Sequence, residues 1–396
     1  MRILALENEP SSARGGQELS LYDVCRGLAA RGHHVELLHT RDGDLVSKYA
    51  DFTARIDRAG GYAIDRSRPL STALRLFADA WQWRRPAPDV VYANQYQDSL
   101  FARVLAMRFE RPFVCHVRLS PPDRFCGQYR WGMGGAIRLI AISRAMRDEY
   151  VATGFHADRI DVVYNGIDVA EWHSSERCRA RQLLDLPENA VTVGFAGRVH
   201  HQKGIDVLID ALALLPRQWR VAIAGTNHDD GSGRNYEREL RVRADERGVA
   251  DRIHWLGRIS RIDVFYSAVD VVVLPAVLPE AFGRTLIESM ACGTPVVASR
   301  IGGMPEVLTG EFERGLCEPR DPASLADCLQ AVRTWRLTDP ALAERCRAHV
   351  ATRFTIADTV PAVERVLEGV VAEWRSGVRT RRAVSQLPAR TGASHA

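Results

Sequence analysis

Short runs of large apolar and β-branched residues recur along the first half of the chain, each separated from the next by a longer amphipathic stretch. The rhythm begins with a strand-like ILAL, a glycine-containing loop SSARGG, a helical QELSLYDVCRGLAARG and a second strand, HVELLHT. The later runs are DVVYAN, PFVCHV, LIAIS and DVVYN. Strands that alternate with helices in this way predict a mostly parallel sheet with helices on both faces.

The same rhythm starts again in the second half, with the runs VTVGFAGR, RVAIAGT, RIHWLG, DVVVLPA and TPVVAS. Two successive halves predict an α/β protein of two Rossmann-like domains, with mostly parallel sheets that face one another across a cleft. A chain of 396 residues is long enough for two cores. We expect an N-terminal domain over residues 1–166, a C-terminal domain over 167–355, a helix over 356–375 that packs back towards the first domain, and a disordered tail over 376–396.

The amino-acid composition indicates to which broad class of protein the chain belongs. Hydrophobic residues make up 46% of the chain and charged residues 26%, as in globular proteins, and no apolar stretch approaches the ~20 residues that span a bilayer. The N-terminus lacks the cleavage site of a secretory signal, so we expect the protein in the cytoplasm. The eight cysteines form no CxxC pair, which indicates reduced thiols, and a net charge of +4 is too small to indicate nucleic acid as a partner.

Two cations follow the first strand of the second half, in GFAGRVHHQKGID. Arg198 and Lys203 would lie at the carboxyl edge of the sheet, where ligands bind in such folds. The chain has only two lysines, Lys48 and Lys203, which indicates that an ammonium group is needed at this edge. An arginine fork and a lysine charge can neutralise a departing diphosphate, and the alternative is a solvated loop. The neighbouring His200 and His201 diverge and predict no metal site.

Two glutamates surround a Phe-Gly turn in PEAFGRTLIESMACGTPVVASRIGGMPE. If a helix begins near Arg284, the backbone N–H groups of Gly283, Arg284 and Thr285 form an anion site that suits a diphosphate. Glu288, one turn into the helix, would accept hydrogen bonds from ribose hydroxyls, and Glu280 would face the donor sugar. The plain alternative is that Glu280 is exposed and that Glu288 only favours the helix dipole.

Together these stretches resemble glycosyltransferase family 4, a large group of retaining GT-B enzymes, and the likeness covers nearly the whole chain. The family's paired glutamates, with seven residues between them, are matched by Glu280 and Glu288. Its Gly-Arg and Lys-Gly elements are matched by the segments 197–198 and 203–204. Its VxNGxD and IGG-PE elements resemble VYNGID and IGGMPE.

The resemblance implies which residues act on the donor. It implies that Arg198 and Lys203 contact the diphosphate, Glu288 the ribose and Glu280 the transferred sugar. The family's Gly-Gly loop, matched by residues 15–16, lies against the donor phosphates and the acceptor. The expected catalytic residues are His116, Arg198, Lys203 and Glu280. The expected donor-binding residues are Gly15, Gly16, Gly197, Arg198, Lys203, Glu280, Phe282, Gly283, Arg284, Thr285 and Glu288.

His116, at the end of PFVCHV, resembles the family's cleft histidine, which orients or stabilises the sugar, whereas a satisfied core histidine is the alternative. The chain departs from the family at Ala281, where glycine is usual, at Arg284, where an aliphatic residue is more frequent, and in the loop 225–228. It has no Asp-x-Asp motif. We therefore expect no metal and no cofactor, with the nucleoside-diphosphate sugar as co-substrate.

The expected reaction moves a hexosyl unit, with retention, from a nucleoside-diphosphate sugar to a hydroxyl of a glycan, a glycolipid or a small molecule. The departing phosphate can itself accept the proton of the acceptor. A GT-B sugar-nucleotide epimerase and an inactive carbohydrate-binding relative are alternatives. A dinucleotide-dependent oxidoreductase is disfavoured because the GxGxxG spacing is missing. The sequence does not indicate the sugar, the base, the acceptor or the oligomeric state.

An amphipathic helix is predicted over residues 70–88, in RPLSTALRLFADAWQWRRPAP. Its apolar residues recur at helical spacings, at Leu70, Ala73, Leu74, Phe77 and Trp81. Arginines lie off this stripe or just past its end, at Arg75, Arg84 and Arg85. We expect an ordinary packed helix of the first domain. The alternative is peripheral contact with an anionic membrane, with the apolar face at the level of the headgroups.

Overall fold

The computed structural model describes residues 1–83, 86–226 and 236–377. This chain divides into two compact units. The first unit comprises Met1–Asn165 together with the C-terminal segment that begins at Ile356, and the second unit comprises Gly166–Thr355. The prediction of a disordered tail lies almost entirely outside the described residues, as do Arg84 and Arg85 of the predicted amphipathic helix.

The first unit contains one parallel sheet. Its strands are β1 (Arg2–Glu7), β2 (His34–His39), β3 (Arg55–Arg58), β4 (Val90–Ala93), β5 (Phe113–Val117), β6 (Arg138–Ala141) and β7 (Ile160–Val162). Their order across the sheet is β3-β2-β1-β4-β5-β6-β7, and all neighbours are parallel. The order changes direction between β1 and β4, so the loops after these strands flank the kind of switch point at which α/β sheets bind ligands.

In the part of the first unit that the structure describes, six helices alternate with these strands. They are α1 (Gly16–Ala30), α2 (Val46–Tyr49), α3 (Pro69–Gln82), α4 (Ser99–Phe109), α5 (Gly127–Gly134) and α6 (Arg144–Ala152). Short 3-10 turns lie at Tyr96–Asp98 and Ala157–Arg159. The β-strands between the helices are buried on both faces at the centre of the sheet, and every residue of β4 and β5 is buried. This double coverage explains why their sequences are continuously apolar.

The second unit repeats this architecture with a second parallel sheet. Its strands are β8 (Val191–Ala196), β9 (Trp219–Ala224), β10 (Ile253–Gly257), β11 (Val271–Leu274), β12 (Val296–Ser299) and β13 (Leu316–Cys317). They lie in the order β10-β9-β8-β11-β12-β13, again with parallel neighbours. The change of direction falls between β8 and β11, so the loops after these two strands are adjacent at the carboxyl edge.

Among the described residues of the second unit, eight helices accompany its sheet. They are α7 (Arg177–Leu183), α8 (Ile205–Leu214), α9 (Tyr236–Glu246), α10 (Ile262–Ala268), α11 (Arg284–Ala291), α12 (Met304–Val307), α13 (Pro322–Thr338) and α14 (Leu342–Ala351). The 3-10 turns of this unit are Val169–Glu171, His201–Lys203, Ala250–Arg252 and Gly310–Gly315. The predicted fold class, an α/β protein with two parallel sheets, is confirmed.

The helix α15 (Ile356–Arg375) returns to the first unit after the chain has passed through the second. It packs on α1, and Gly27 allows the close approach, because a Cβ at that position would lie 2.4 Å from Cγ2 of Val360. Glu364 of α15 accepts a hydrogen bond of 2.7 Å from Arg31 and lies 2.6 Å from His33 Nε2. The buried apolar residues of α15 join the core of the first sheet, at Val360, Val363, Leu367, Val370 and Val371.

Two strands of the structure were not predicted, and both lie at the margin of a sheet. The strand β3, with the sequence RIDR, is half-exposed and charged, so it lacks the β-branched run that marks the other strands. The strand β13 contains only two residues. A strand at the edge of a sheet does not have to be buried on both faces. Its sequence can therefore contain charged residues, and the apolar pattern by which a strand is predicted is weaker there.

The helix α3 does not bury its apolar stripe. Leu70 is 80% exposed, Leu74 71%, Phe77 49% and Trp81 58%, while the helix is anchored by the buried Leu76 and Ala80. The expectation of an ordinary packed helix is therefore wrong for this face. The helix also ends at Gln82, earlier than predicted, because the next residue has an extended backbone.

Candidate functional site

The loops after β8 and β9 meet at the carboxyl edge of the second sheet through glycine. The N–H of Gly197 donates to the carbonyl of Ala224 at 3.0 Å. A Cβ on Gly225 would lie 1.8 Å from the carbonyl oxygen of Gly197, so only glycine fits there. This part of the sheet edge is therefore formed by backbone atoms. The exposed side chain of Arg198 extends from this edge into solvent. No hydrogen bond or ion pair with another described residue holds the Arg198 side chain.

The loop after β8 is also fixed to the loop after β11. The N–H of Val277 donates to the carbonyl of Gln202 at 3.0 Å. Gly204, which begins the turn into α8, has a φ of 66°, and a Cβ there would lie 1.9 Å from the carbonyl oxygen of Pro275. These contacts bring Lys203 to Glu280, and the ammonium Nζ lies 2.5 Å from the carboxylate Oε2.

Glu280 is in turn positioned by the loop that follows β12. Its carbonyl accepts a hydrogen bond of 2.8 Å from the N–H of Gly303. The neighbouring Gly302 has a φ of 61°, and a Cβ there would lie 2.3 Å from the carbonyl oxygen of Glu280. The two glycines of the IGG segment therefore contact the backbone of Glu280 and hold it in position.

The helix α11 begins at Arg284, as the sequence predicts. Gly283 precedes it with a φ of 90°, a left-handed conformation that glycine adopts without strain. The first N–H groups of such a helix have no partner within the helix and attract anions. The side chain of Phe282 is buried against Phe354, with ring centroids 5.6 Å apart, so its ring faces the core of the second unit. Thr285 Oγ1 lies 3.4 Å from the carbonyl oxygen of Ala196.

Glu288 is a buried carboxylate with a partner on each oxygen. Its Oε1 accepts a hydrogen bond of 2.7 Å from Arg284 Nε, and its Oε2 accepts one of 2.9 Å from the hydroxyl of Tyr266. Burial, and then the charge of Glu288, raise the pKa of Tyr266 well above its usual value, so the hydroxyl stays a donor. Glu280 is half-buried in its ion pair with Lys203, and Glu288 is buried between its two partners, so both acids have specific contacts.

The remaining predicted residues lie in the first unit. Gly15 has a φ of 130° and precedes α1, which begins at Gly16, and nothing lies within 4 Å of a Cβ placed on Gly15. His116 is fully buried on β5. Its Nδ1 lies 2.5 Å from the hydroxyl of Tyr92 and 3.2 Å from Nη2 of Arg118. Burial, and then the charge of Arg118, lower the pKa of His116 well below its usual value.

A buried polar network around His116 was missed by sequence reasoning. Arg118 donates to Asn94 Oδ1 at 2.7 Å and to Asn165 Oδ1 at 2.8 Å. Asn94 in turn donates to Glu7 Oε2 at 2.7 Å, and burial raises the pKa of Glu7. Glu7, Asn94 and Arg118 stand at or just after the ends of β1, β4 and β5. Their position after predicted strands was the signal that could have identified them.

One group of potential metal ligands exists among the described residues. It comprises His33, Glu364 and Glu368, whose ligand atoms lie within 4.8 Å of one another. The group belongs to the first unit, whereas the predicted diphosphate contacts belong to the second, and its Glu364 already pairs with Arg31. Of the helices in the described ranges, none is long and apolar enough to cross a membrane.

Family models match both halves of the chain. Residues 14–171 match the model described as Glycosyltransferase Family 4, and residues 177–349 match the model described as Glycosyl transferases group 1. A D-inositol 3-phosphate glycosyltransferase of Mycolicibacterium gilvum is 34% identical over 391 residues, which cover 91% of this chain and 86% of that protein. The match to the enzyme of the same name from Mycolicibacterium smegmatis, also 34% identical, spans 65% of this chain and 58% of that protein.

Solved structures also resemble this chain over nearly its whole length. Anabaena Alr3699/HepE in complex with UDP and glucose is 25% identical, with a TM-score of 0.79 over 93% of this chain and 99% of that chain. Sucrose-phosphate synthase from Thermosynechococcus elongatus, 22% identical with a TM-score of 0.78 over 94% of this chain and 99% of that chain, has the same fold. With both halves matched by family models and nearly the full length matched by a relative, the chain belongs to glycosyltransferase family 4 and has the GT-B fold.

Proposed function

We propose that this glycosyltransferase moves a hexosyl unit from a UDP-sugar to a hydroxyl of an acceptor, with retention and without a metal ion. The observation that carries the proposal is the grouping of Lys203, Glu280 and the beginning of α11 at one edge of the second sheet. UDP is proposed as the nucleotide because the solved relative from Anabaena binds UDP and glucose.

The proposed roles follow from charge. Before the donor binds, Lys203 and Glu280 neutralise one another, so neither group is left unpaired at the edge. A diphosphate at the first turn of α11 would form ion pairs with the ammonium group of Lys203 and with the exposed guanidinium of Arg198. Glu280 would then be released towards the sugar. As the bond to the sugar breaks, both cations stabilise the charge that grows on the leaving phosphate.

Glu288 is proposed to hold the ribose. Arg284 holds one of its two oxygens by a hydrogen bond, and Tyr266 holds the other. The carboxylate is therefore held in one orientation, and a carboxylate suits neighbouring ribose hydroxyls because it can accept two hydrogen bonds side by side. Gly15 and Gly16, which stand where α1 begins, are proposed to lie against the donor and the acceptor, because glycine has no Cβ and admits a ligand close to the backbone.

The acceptor is proposed to be a hydroxyl of a small phosphorylated polyol, because the relatives from Mycolicibacterium are named for D-inositol 3-phosphate. A glycan or a glycolipid acceptor is the alternative. The test is incubation with a panel of UDP-hexoses, with and without inositol phosphate, followed by NMR of the product. A product of retained anomeric configuration that requires the acceptor supports the proposal. Isomerised or hydrolysed donor in the absence of acceptor would instead identify an epimerase or a hydrolase.

Activity is expected to survive excess EDTA. The proposed neutralisation of the diphosphate relies on Arg198, Lys203 and the N-terminus of α11, so the charge that a divalent ion usually balances is already supplied. The measurement is the initial rate before and after treatment with EDTA, with added magnesium or manganese as the control. Loss of activity that either metal restores would contradict the metal-independent mechanism.

A second component of the proposal is peripheral contact of α3 with an anionic membrane. The exposed stripe of α3 ends at Trp81, and the guanidinium of Arg108 lies 5.2 Å from the centre of a Trp81 ring. At the other end of the stripe, the exposed Arg68 precedes the helix. The acid of this helix, Asp79, lies off the stripe and accepts a hydrogen bond from the N–H of Gly60. An apolar surface between arginines suits an anionic lipid headgroup layer.

Replacing Leu74 and Phe77 together by glutamate is expected to reduce binding to anionic vesicles by about tenfold or more, because two exposed apolar contacts are lost and negative charge is gained. The measurement is co-sedimentation with vesicles of phosphatidylcholine containing phosphatidylglycerol, at low and high salt. Leu337→Glu, at an exposed leucine of α13, is the matched control.

Equal binding to neutral and anionic vesicles, or binding that the double variant retains, would contradict this component. A wild-type dimer that the double variant converts to a monomer, without any binding to vesicles, would assign the stripe to a second copy of the chain.

A further inference from the structure

Arg284 introduces a cation at a position where the family more often has an aliphatic residue. It is the first residue of α11, and its Nε donates a hydrogen bond of 2.7 Å to Oε1 of Glu288, one turn later. The two side chains are only 11% and 10% exposed. The pair of the same spacing on α9, between Arg241 and Glu237, is 51% and 29% exposed. The ion pair at the start of α11 is therefore largely withdrawn from water.

The stability of α11 does not explain this ion pair. The beginning of an α-helix carries a partial positive charge, so an arginine in the first turn opposes the helix dipole. The order of the charges is also the less favourable one, because an acid that precedes a base by one turn stabilises a helix more than the reverse order. On α9 the acid Glu237 comes first and Arg241 follows. Exceptions to such local rules are expected at functional sites.

The charge of Glu288 gives the arginine a different role. A buried carboxylate is costly unless a partner compensates its charge. The hydroxyl of Tyr266 supplies a hydrogen bond without charge, whereas Arg284 supplies a hydrogen bond and a positive charge. Lys203 compensates Glu280 in the same way, on the other side of the Phe-Gly turn. Each acid therefore has a cation of its own, so an anionic donor does not meet two uncompensated negative charges.

We propose that Arg284 is a positioning residue, which acts on the donor through Glu288 by compensating its charge and fixing the direction of its oxygens. The inference rests on the proposed role of Glu288 as the acceptor of hydrogen bonds from the ribose. A site built to bond a hydroxyl binds an analogue without that hydroxyl much more weakly. Arg284 therefore determines how strongly the protein prefers a ribonucleotide to a 2′-deoxyribonucleotide.

The test is nucleotide binding, which requires neither the sugar nor the acceptor. Dissociation constants for UDP and for 2′-deoxy-UDP are measured by isothermal titration calorimetry. We expect the natural protein to bind UDP roughly thirtyfold more tightly than 2′-deoxy-UDP, because a hydrogen bond to a charged group is lost. Arg284→Leu should reduce this ratio to about threefold, and Arg284→Lys, which retains the charge, should restore most of it. A ratio that Arg284→Leu leaves unchanged would overturn the inference.

A double-mutant cycle separates action through Glu288 from direct contact with the diphosphate. Arg284→Leu is expected to weaken UDP binding by about tenfold in the otherwise natural protein. In the background of Glu288→Gln, whose side chain has no charge to compensate, the same change should cost less than about threefold. Equal losses in both backgrounds would show that the guanidinium acts on the phosphates directly, and would overturn the role as a positioning residue.

Two controls separate this effect from folding and from net charge. Leucine is chosen because the family more often has an aliphatic residue at this position, and the unfolding temperature of each variant is measured. Arg241→Leu removes the exposed pair on α9 and should change neither dissociation constant by more than about twofold. An equal effect of Arg241→Leu would overturn the inference. If the cycle gives the expected coupling while no hexose is transferred, the proposed function fails and the role of Arg284 stands.

Discussion

Replacement of Arg198 by alanine is expected to lower turnover by roughly one hundred- to a thousand-fold and to leave the unfolding temperature unchanged. The side chain of Arg198 is exposed, and no described residue holds it by a hydrogen bond or an ion pair, so its loss removes nothing from the resting fold. Its proposed partner is a diphosphate whose charge grows during the reaction. Steady-state kinetics with the true UDP-sugar, together with thermal unfolding, measure both effects.

Lys203→Ala is expected to cause a turnover loss of the same size. It also removes the ion pair with Glu280, whose partners are only partly buried, so we expect a stability change of at most about 1 kcal/mol. The matched control is Arg217→Ala, which removes an exposed cation before β9, at the opposite edge of the same sheet. If Arg198→Ala and Lys203→Ala both retain near-normal turnover, the assignment of the diphosphate is wrong.

The second large effect is expected for Gly302→Ala. A left-handed backbone costs a non-glycine residue about 1–2 kcal/mol, and forcing a side chain into packed surroundings costs about 1–3 kcal/mol more, so we expect a loss of roughly 2–5 kcal/mol. The new Cβ would lie 2.3 Å from the carbonyl oxygen of Glu280, and the backbone of Glu280 must move to relieve the overlap. Turnover should therefore fall together with stability.

Gly310→Ala separates the two causes of this effect. Gly310 has a φ of 62°, almost the same as the 61° of Gly302, but nothing lies within 4 Å of a Cβ placed there. It should lose only the backbone part, about 1–2 kcal/mol, and keep normal turnover. The measurement is thermal unfolding by circular dichroism with kinetics on the same samples. Equal stability of the two variants would show that the contact with Glu280 is not tight.

The sequence was sufficient to predict the two parallel sheets and the start of α11, because both depend on local patterns. Continuous apolar runs mark strands buried on both faces, and the glycine before a helical stretch marks the left-handed residue that precedes α11. The contact between Lys203 and Glu280 is different, since 77 residues separate them in the chain. It depends on the adjacency of β8 and β11, which only the order of strands in the sheet determines.

The network around His116 and the exposure of α3 were beyond sequence reasoning for related reasons. Tyr92, Arg118 and Asn165 come from three separate strands or loops, and no spacing in the chain links them to one ring nitrogen. For α3, the spacing of apolar residues shows that the helix has two faces, but it does not show which face the rest of the protein covers. The structure turns Leu76 inward and leaves Leu74 and Phe77 in solvent.

The return of α15 to the first unit affects the order in which the protein can be completed during synthesis. When residues 1–165 have left the ribosome, the helix that covers α1 has not yet been translated. The second unit is continuous in the chain, so it can reach its native state as soon as its last strand and helices emerge. Domains generally fold in the order of translation. Here the first unit is translated first, but its core is complete only when Val360, Val363 and Leu367 of α15 have been translated and have packed against it.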